Sequence, residues 1–138
     1  MRDKMEPAAR KSSPPVILIV DDEPLLRMLA VEMMEEAGYV ALEAEDADEA
    51  IVILESRLDI VLLLTDINMP GSMDGLKLAY AVRNRWPPVK IIVVSGQIKL
   101  SESDLPSGSR FFSKPYRAAA LVSELRLLIG PEDAGCPG

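Results

Sequence analysis

The chain has 138 residues, of which 49% are hydrophobic and 27% charged, and its formal net charge is −7. This length and composition are typical of one globular domain that buries a core without disulfides, and they exclude a wholly disordered chain. The acidic balance argues against a nucleic-acid-binding surface, which needs clustered lysine and arginine. No apolar run approaches the roughly eighteen residues of a membrane helix. We therefore expect neither nucleic acid nor a membrane among its partners.

Residue counts also limit the chemistry of the chain. It contains no histidine, which removes His-based general-base catalysis, most zinc sites and a phosphohistidine of its own. Its single cysteine, Cys136, cannot form an intramolecular disulfide, which fits a cytoplasmic protein. The charged, proline-rich segment 1–14 lacks the apolar centre of a signal peptide. We expect 1–14 and 131–138 to be flexible extensions of one domain at 15–130.

Short apolar runs alternate with amphipathic segments along the chain. The runs predicted to be strands are 15–20, 39–44, 59–66, 89–96 and 109–114. Helices are predicted after the first, second, third and fifth strands, at 24–37, 46–57, 74–86 and 116–130. This alternation predicts an α/β fold with a doubly wound, five-stranded parallel sheet covered on both faces.

Two segments deserve separate predictions. In the first helix, Pro24 suits the first turn and Gly38 marks the end. Apolar residues at helical spacing predict an inner face made of Leu26, Leu29, Ala30, Met33, Met34 and Ala37. Between the fourth and fifth strands, segment 96–110 has weak helical periodicity and contains Pro106 and Gly108. We expect the helix in that position to be short, distorted or absent.

Polar residues follow four of the predicted strands. Asp21 and Asp22 follow the first, Asp66 the third, Ser95 the fourth and Lys114 the fifth. Since parallel strands end at one edge of a sheet, these side chains are expected to meet there. Clustered carboxylates repel one another by roughly 1 to 4 kcal/mol at about 4 Å, which favours a hard divalent cation such as Mg²⁺.

Such a cluster suits phosphoryl transfer to a carboxylate. Asp66 would be the nucleophile, while Lys114 pairs with one phosphoryl oxygen and the Ser95 hydroxyl bonds another. Taken singly, each residue also has an ordinary structural explanation. Asp21 or Asp22 can cap a helix, Asp66 and Ser95 can simply end their strands, and Lys114 can be a surface lysine.

Taken together, four segments resemble the receiver domain of response regulators, the phosphoacceptor module of two-component signalling. They are ILIVDDE, LLLTDINMPGSMDG, VVSG and SKPY, which occur in the family's order, and the resemblance covers about residues 15–130. It implies a flavodoxin-like, CheY-like fold with strand order 2-1-3-4-5. It also implies a signalling domain, not an enzyme, which catalyses only its own phosphorylation and dephosphorylation.

The resemblance assigns the phosphoacceptor and metal-binding roles residue by residue. Asp66 becomes the phosphorylation site and contacts Mg²⁺ together with the acidic pair Asp21 and Asp22. The backbone carbonyl of Asn68 supplies a further metal ligand, and its side chain borders the phosphoryl group.

The remaining roles belong to the switch. Ser95 matches the switch hydroxyl, Phe111 the switch aromatic and Lys114 the lysine that contacts the phosphoryl group. Family members usually have a cis peptide after that lysine, here Lys114–Pro115, and X–Pro bonds adopt cis at a cost of only about 0.5–1 kcal/mol.

The chain departs from the family pattern in two places. The segment PGSMDG carries one extra residue near Gly71 or Ser72, and the stretch after Ser95 is shortened. Gln97 and Asn68 flank the approach of an attacking water, and we hypothesise that they set the lifetime of the aspartyl phosphate.

The predicted function is that of a stand-alone receiver, a monomer or weak homodimer. It would accept a phosphoryl group from a histidine kinase or phosphotransfer protein, and signal to a partner protein or act in a phosphorelay. One alternative is a receiver-like adaptor that works without phosphorylation. A phosphatase of the haloacid dehalogenase type usually has a second aspartate where this chain has Asn68. A flavin-binding module is disfavoured because the carboxylates of DDEPLL would repel its phosphate.

Overall fold

The structure is a computed structural model that describes residues 13–69, 73–96 and 100–130. The extra residue near Gly71, Gln97 and nearly all of both predicted extensions lie outside these ranges, so the expectations for them stay predictions.

Five parallel strands form one sheet in the order β2-β1-β3-β4-β5. The strands are β1 Val16–Val20, β2 Val40–Ala44, β3 Ile60–Asp66, β4 Lys90–Ser95 and β5 Arg110–Ser113. Four α-helices accompany them in the described residues: α1 Pro24–Glu36, α2 Ala47–Ser56, α3 Gly75–Arg85 and α4 Ala118–Ile129. The predicted flavodoxin-like fold and strand order are thus confirmed.

The sheet is covered on both faces because its central strands are apolar on both. In β1, Leu18 packs into the core beneath α2 and α3, whereas Ile17 and Ile19 pack into the core beneath α1 and α4. All five residues of β1 are buried. An unbroken apolar run therefore becomes a strand that two layers of helices enclose.

The β4–β5 connection, residues 96–109, contains a short 3₁₀ turn, Glu102–Asp104, among its described residues. Pro106 and the positive φ of Gly108 (82°) prevent a helix from continuing through the end of this segment. The turn is fixed to α3, because the Tyr80 hydroxyl donates a hydrogen bond to the carbonyl oxygen of Asp104 (2.9 Å). A three-residue 3₁₀ turn in the described part of this segment agrees with the expectation of a helix that is short, distorted or absent.

The prediction for the inner face of α1 is partly wrong. Ala30 and Met34 are buried, but Leu26 and Leu29 are 38% and 50% exposed. These two leucines lie in the first half of α1, where they border an open groove, and α4 does not cover them. Within the described ranges, no helix combines the length and apolar character needed to cross a membrane.

Candidate functional site

Three aspartates meet at the carboxyl edge of the sheet. Asp66 ends β3, and Asp21 and Asp22 follow β1; one carboxylate oxygen of each lies within 4.8 Å of the others. Asp21 and Asp66 are each only 7% exposed. The convergence predicted from the order of the strands is therefore present in the structure.

Lys114, which follows β5, completes this cluster. Its Nζ atom lies 2.8 Å from Oδ2 of Asp66 and 3.8 Å from Oδ2 of Asp21. The other oxygen of Asp66, Oδ1, accepts a hydrogen bond from the backbone N–H of Asn68 (3.1 Å). Both carboxylate oxygens of Asp66 are thus held by donors, one charged and one neutral.

The loop after β1 orients Asp21. Its Oδ1 accepts a hydrogen bond from the backbone N–H of Glu23 (2.9 Å), while the residue at the N-cap position of α1 is Glu23 itself. Arg27 donates from Nη1 to the backbone oxygen of Asp21 (2.7 Å) and from Nε to Glu43 (2.9 Å). The helix-cap explanation for Asp21 and Asp22 is therefore not what the structure shows. Arg27 was missed because its partners are distant in sequence.

Burial and charge shift the protonation of this cluster. Desolvation raises the pKa of Asp21 above its ordinary value, and the charges of Asp66 and Asp22 act in the same direction, although Glu23 and Lys114 oppose them. Burial alone would lower the pKa of Lys114, but its hydrogen bond to Asp66 and the nearby carboxylates outweigh burial and raise it. The cluster therefore holds excess negative charge that a cation would neutralise.

The donor set fits a hard divalent cation. Three carboxylates with oxygens inside 4.8 Å, two of them buried, provide the oxygen ligands that Mg²⁺ takes in proteins. Burial is the main cause of the raised pKa of Asp21, and the charges of Asp66 and Asp22 add to it. Asp21, Asp22 and Asp66 are the residues that would hold the ion.

The predicted switch residues, Ser95 and Phe111, lie on the neighbouring strands β4 and β5. Ser95 ends β4 and is buried, and its carbonyl oxygen accepts a hydrogen bond from the backbone N–H of Lys114 (2.9 Å). Phe111 lies in β5 opposite Val93 and packs, half-buried, against the core beneath α2 and α3. Asn68 is exposed next to the cluster. The peptide bond Lys114–Pro115 is cis, as predicted.

Gly75 also determines the geometry of the site, and no sequence pattern had assigned it this role. A Cβ atom at this position would overlap the backbone oxygen of Asp66, and the N–H of Gly75 donates to the carbonyl of Ile67 (2.9 Å). The N-terminus of α3 therefore packs directly against the turn that carries Asp66. The MDG motif was visible in the sequence, but the contact between these two elements was not.

A cavity of about 520 Å³ opens beside the carboxylates, between α1 and α4, and we call it the α1–α4 groove. Asp21, Asp66 and Lys114 line its charged end. Its apolar walls include four side chains of α1 and three residues at and before the start of α4, namely Leu26, Leu29, Ala30, Met33, Pro115, Tyr116 and Ala118.

Comparison with known proteins identifies the family. The model of the response regulator receiver domain matches residues 17–126. The chain belongs to the receiver-domain family. Receiver domains are signalling domains of two-component systems, they generally bind Mg²⁺ at an aspartate cluster, and they interact with histidine kinases and phosphotransfer proteins.

Relatives of this receiver domain differ in length. The response regulator receiver protein CpdR of Brucella abortus is 32% identical over 116 residues, and the match covers 82% of this chain and 95% of CpdR. The nitrogen assimilation regulatory protein NtrX of Azorhizobium caulinodans is 36% identical over 110 residues, which are 77% of this chain but 24% of NtrX. The chain thus spans about a quarter of one relative and nearly all of the other.

A solved structure shares the fold. The CheY-like receiver domain protein from Methanospirillum hungatei JF-1 superimposes with a TM-score of 0.78 at 28% identity, covering 88% of this chain and 97% of that one.

Proposed function

We propose that this receiver domain accepts a phosphoryl group on Asp66 in a Mg²⁺-dependent reaction and thereby switches its conformation. The observation that supports this best is the contact of 2.8 Å between Nζ of Lys114 and Oδ2 of Asp66, inside a cluster of three carboxylates. A buried carboxylate beside both a cation and a metal-ligand set is suited to attack phosphorus and to tolerate the charge that follows.

Each residue would contribute a separate task. The Asp66 carboxylate attacks phosphorus, and the bond from phosphorus to the donor breaks with its electron pair leaving on the donor atom. Lys114 moves its hydrogen bond from the carboxylate to a phosphoryl oxygen, and the Ser95 hydroxyl bonds another. Asp21, Asp22, Asp66 and the backbone carbonyl of Asn68 would hold Mg²⁺, which would supply positive charge to offset that of the reacting groups.

The phosphoryl group would come from a phosphohistidine on another protein or from a small phosphodonor, because this chain contains no histidine of its own. The exposed apolar residues of α1 beside the site support a protein donor. Leu25, Leu26, Met28 and Leu29 are 62%, 38%, 48% and 50% exposed, an apolar surface that is available to a partner.

Switching would be driven by Ser95 and Phe111. Recruitment of Ser95 to a phosphoryl oxygen displaces the end of β4, and the half-buried ring of Phe111 on β5 repacks with it. A phosphoryl group that binds Ser95 and Lys114 in one of two conformations shifts the population toward that conformation.

The test is incubation with Mg²⁺ and acetyl phosphate, followed by intact mass. We expect one phosphoryl increment in the wild type and in the control Asp59→Asn, whose carboxylate is exposed. The increment should be absent in Asp66→Asn and in the presence of EDTA. A wild-type protein that folds, binds Mg²⁺ and gains no mass would reject the proposal and favour an adaptor that works without phosphorylation.

A further inference from the structure

The loop between β1 and α1 carries two of the three carboxylates of the site. It consists of Asp21, Asp22 and Glu23. The N–H of Asp21 continues the β1–β2 ladder by bonding to the carbonyl of Ala44 (3.1 Å), and its carboxylate accepts from the N–H of Glu23. The carbonyl oxygen of Asp21 accepts a hydrogen bond from a side chain, the guanidinium of Arg27 (2.7 Å). The main chain that presents the carboxylates is therefore held in part by Arg27.

Arg27 connects this loop to β2 as well as to α1. It lies in the first turn of α1, and its side chain is 17% exposed. Its Nε donates to Oε1 of Glu43 (2.9 Å), a residue of β2 that pairs with Ile19 of β1. One planar guanidinium thus bonds to the loop and to the neighbouring strand at the same time, which an ammonium group on a flexible chain does not do equally well.

The contact of Arg27 within the loop is with the main chain. Its Nη1 bonds to the backbone oxygen of Asp21, whereas the carboxylate of Asp21 faces Lys114, whose Nζ lies 3.8 Å away. The charge of Arg27 is paired with the carboxylate of Glu43. A guanidinium in this position fixes where the loop lies and leaves the negative charge of the site available to a cation.

We propose that Arg27 and Glu43 are positioning residues of the Mg²⁺ site: by holding the β1–α1 loop, they keep its two carboxylates where they can share one cation with Asp66. This inference rests on the Mg²⁺ requirement of the proposed function. Groups that orient metal ligands without touching the metal contribute about 10–100-fold to metal affinity. A pair with a half-exposed partner such as Glu43 adds little to stability. Loss of the pair should therefore weaken Mg²⁺ binding more than it weakens the fold.

The experiment measures Mg²⁺ binding to the full chain by calorimetry, with no phosphodonor present, and urea unfolding of the same proteins in EDTA. Arg27→Gln removes the guanidinium, and we expect it to raise the Kd for Mg²⁺ about tenfold. Arg27→Lys keeps the charge without the planar fork, so it should raise the Kd by a similar factor. Both variants should unfold at urea concentrations close to that of the wild type.

A second variant and a control test the other half of the pair. Glu43→Ala changes a half-exposed side chain, so it is expected to fold, and it decides the question if Arg27→Gln does not. It should raise the Kd several-fold, and combining it with Arg27→Gln should add nothing, because both changes remove the same contact. Arg85→Gln is the control, since it breaks a matched pair with Glu55 (2.8 Å) at the end of α3 away from Gly75, and it should keep the wild-type Kd.

The Mg²⁺ dependence of phosphorylation by acetyl phosphate is a second readout. If Arg27 positions the metal ligands, Arg27→Gln should need about tenfold more Mg²⁺ for its half-maximal rate. Its rate at saturating Mg²⁺ should stay near that of the wild type. A role in stability alone would lower the melting temperature and leave the Mg²⁺ dependence unchanged, which would overturn the inference.

The possible results separate this inference from the proposed function. A wild-type Kd in both Arg27→Gln and Glu43→Ala would overturn the inference and leave the phosphorylation of Asp66 standing. A wild-type Kd in Arg27→Lys beside weak binding in Arg27→Gln would overturn it too, because the charge alone would then suffice. A wild type that binds Mg²⁺ and is not phosphorylated would overturn the proposed function, while the Kd values would still decide the inference. A folded wild type that binds no Mg²⁺ would overturn both.

Discussion

Nζ of Lys114 lies 2.8 Å from Oδ2 of Asp66, although 48 positions separate these residues in the chain. The pair connects the ends of β3 and β5 across β4, which lies between them in the sheet. Asp66 is 7% exposed, and its two carboxylate oxygens accept hydrogen bonds from this ammonium group and from the backbone N–H of Asn68. One contact therefore joins the ends of two strands of the sheet and also holds the proposed phosphoacceptor.

Replacement of Lys114 by methionine should destabilise the protein by about 1–3 kcal/mol in the absence of divalent cations, because it leaves the Asp66 carboxylate buried without its charged donor. In an Asp66→Asn background the same change should cost clearly less. Urea unfolding of the four proteins of this double-mutant cycle measures the coupling. Lys77→Met, an exposed lysine of α3, is the control, and strictly additive effects would contradict the prediction.

Replacement of Asp21 by asparagine should raise the free energy of unfolding without divalent cations by about 1 kcal/mol, because it removes a charge that is costly to bury and that Asp66 and Asp22 also repel. The amide retains an oxygen that accepts the hydrogen bond from the N–H of Glu23. Chemical unfolding in EDTA measures this, with the exposed Glu36→Gln as control. A less stable Asp21→Asn protein would be contrary to expectation.

The difference in the free energy of unfolding between the wild type and Asp21→Asn should depend on pH. The pKa of Asp21 is raised in the folded state, so its protonation favours folding. Above the raised pKa, the free energy of unfolding of the wild type should lie below that of Asp21→Asn by the full difference. This difference should shrink as the pH falls through the raised pKa toward the ordinary value of 3.8. Unfolding of both proteins between about pH 7 and about pH 4 measures this, and a difference that stays constant would refute the prediction.

Mg²⁺ should stabilise the wild type and should stabilise Asp21→Asn much less, since the variant lacks one of the three carboxylates. An ion that binds only the folded state adds about 2.7 kcal/mol to the free energy of unfolding when its concentration is a hundred times its Kd. Thermal unfolding over a series of Mg²⁺ concentrations, with Ca²⁺ and Na⁺ for comparison, measures the effect. Equal stabilisation of both proteins would place the ion elsewhere.

Replacement of Gly75 by alanine should destabilise the protein by several kcal/mol or displace the turn after Asp66, because the added methyl group overlaps the backbone oxygen of Asp66. Gly96→Ala is a matched control near the same site, since its added Cβ would lie 3.5 Å from the nearest atom, Cβ of Lys114, which is an ordinary contact. Thermal unfolding and Mg²⁺ titration of both variants check this. Gly75→Ala with wild-type stability and Mg²⁺ affinity would be inconsistent with the observed packing.

Most of the fold and much of the candidate site could be predicted from the sequence, for two physical reasons. An apolar run such as that of β3 indicates a strand buried on both faces, and parallel strands bring the residues that follow them to one edge. Asp66 and Lys114 could be placed together on these grounds alone.

What could not be predicted depends on contacts between elements. The pattern of α1 identified an apolar face, but it could not show that the first half of this face borders an open groove, with Leu29 half exposed. The contact of Gly75 with the backbone of Asp66 depends on how closely α3 approaches the sheet. The bonds of Arg27 to Asp21 and Glu43 join residues 6 and 16 positions apart. Local sequence patterns do not indicate such contacts between elements.

The hydrogen bond from the N–H of Lys114 to the carbonyl of Ser95 makes the geometry of the site independent of the segment that connects β4 with β5. Ser95 pairs with Ser113 in the sheet, so the main chain fixes the spacing of Ser95 and Lys114 whatever lies between them. Evolution can therefore lengthen, shorten or replace the β4–β5 connection without retuning the phosphoacceptor. A change in this segment would then alter the surface between β4 and β5 and leave the spacing of Ser95 and Lys114 as it is.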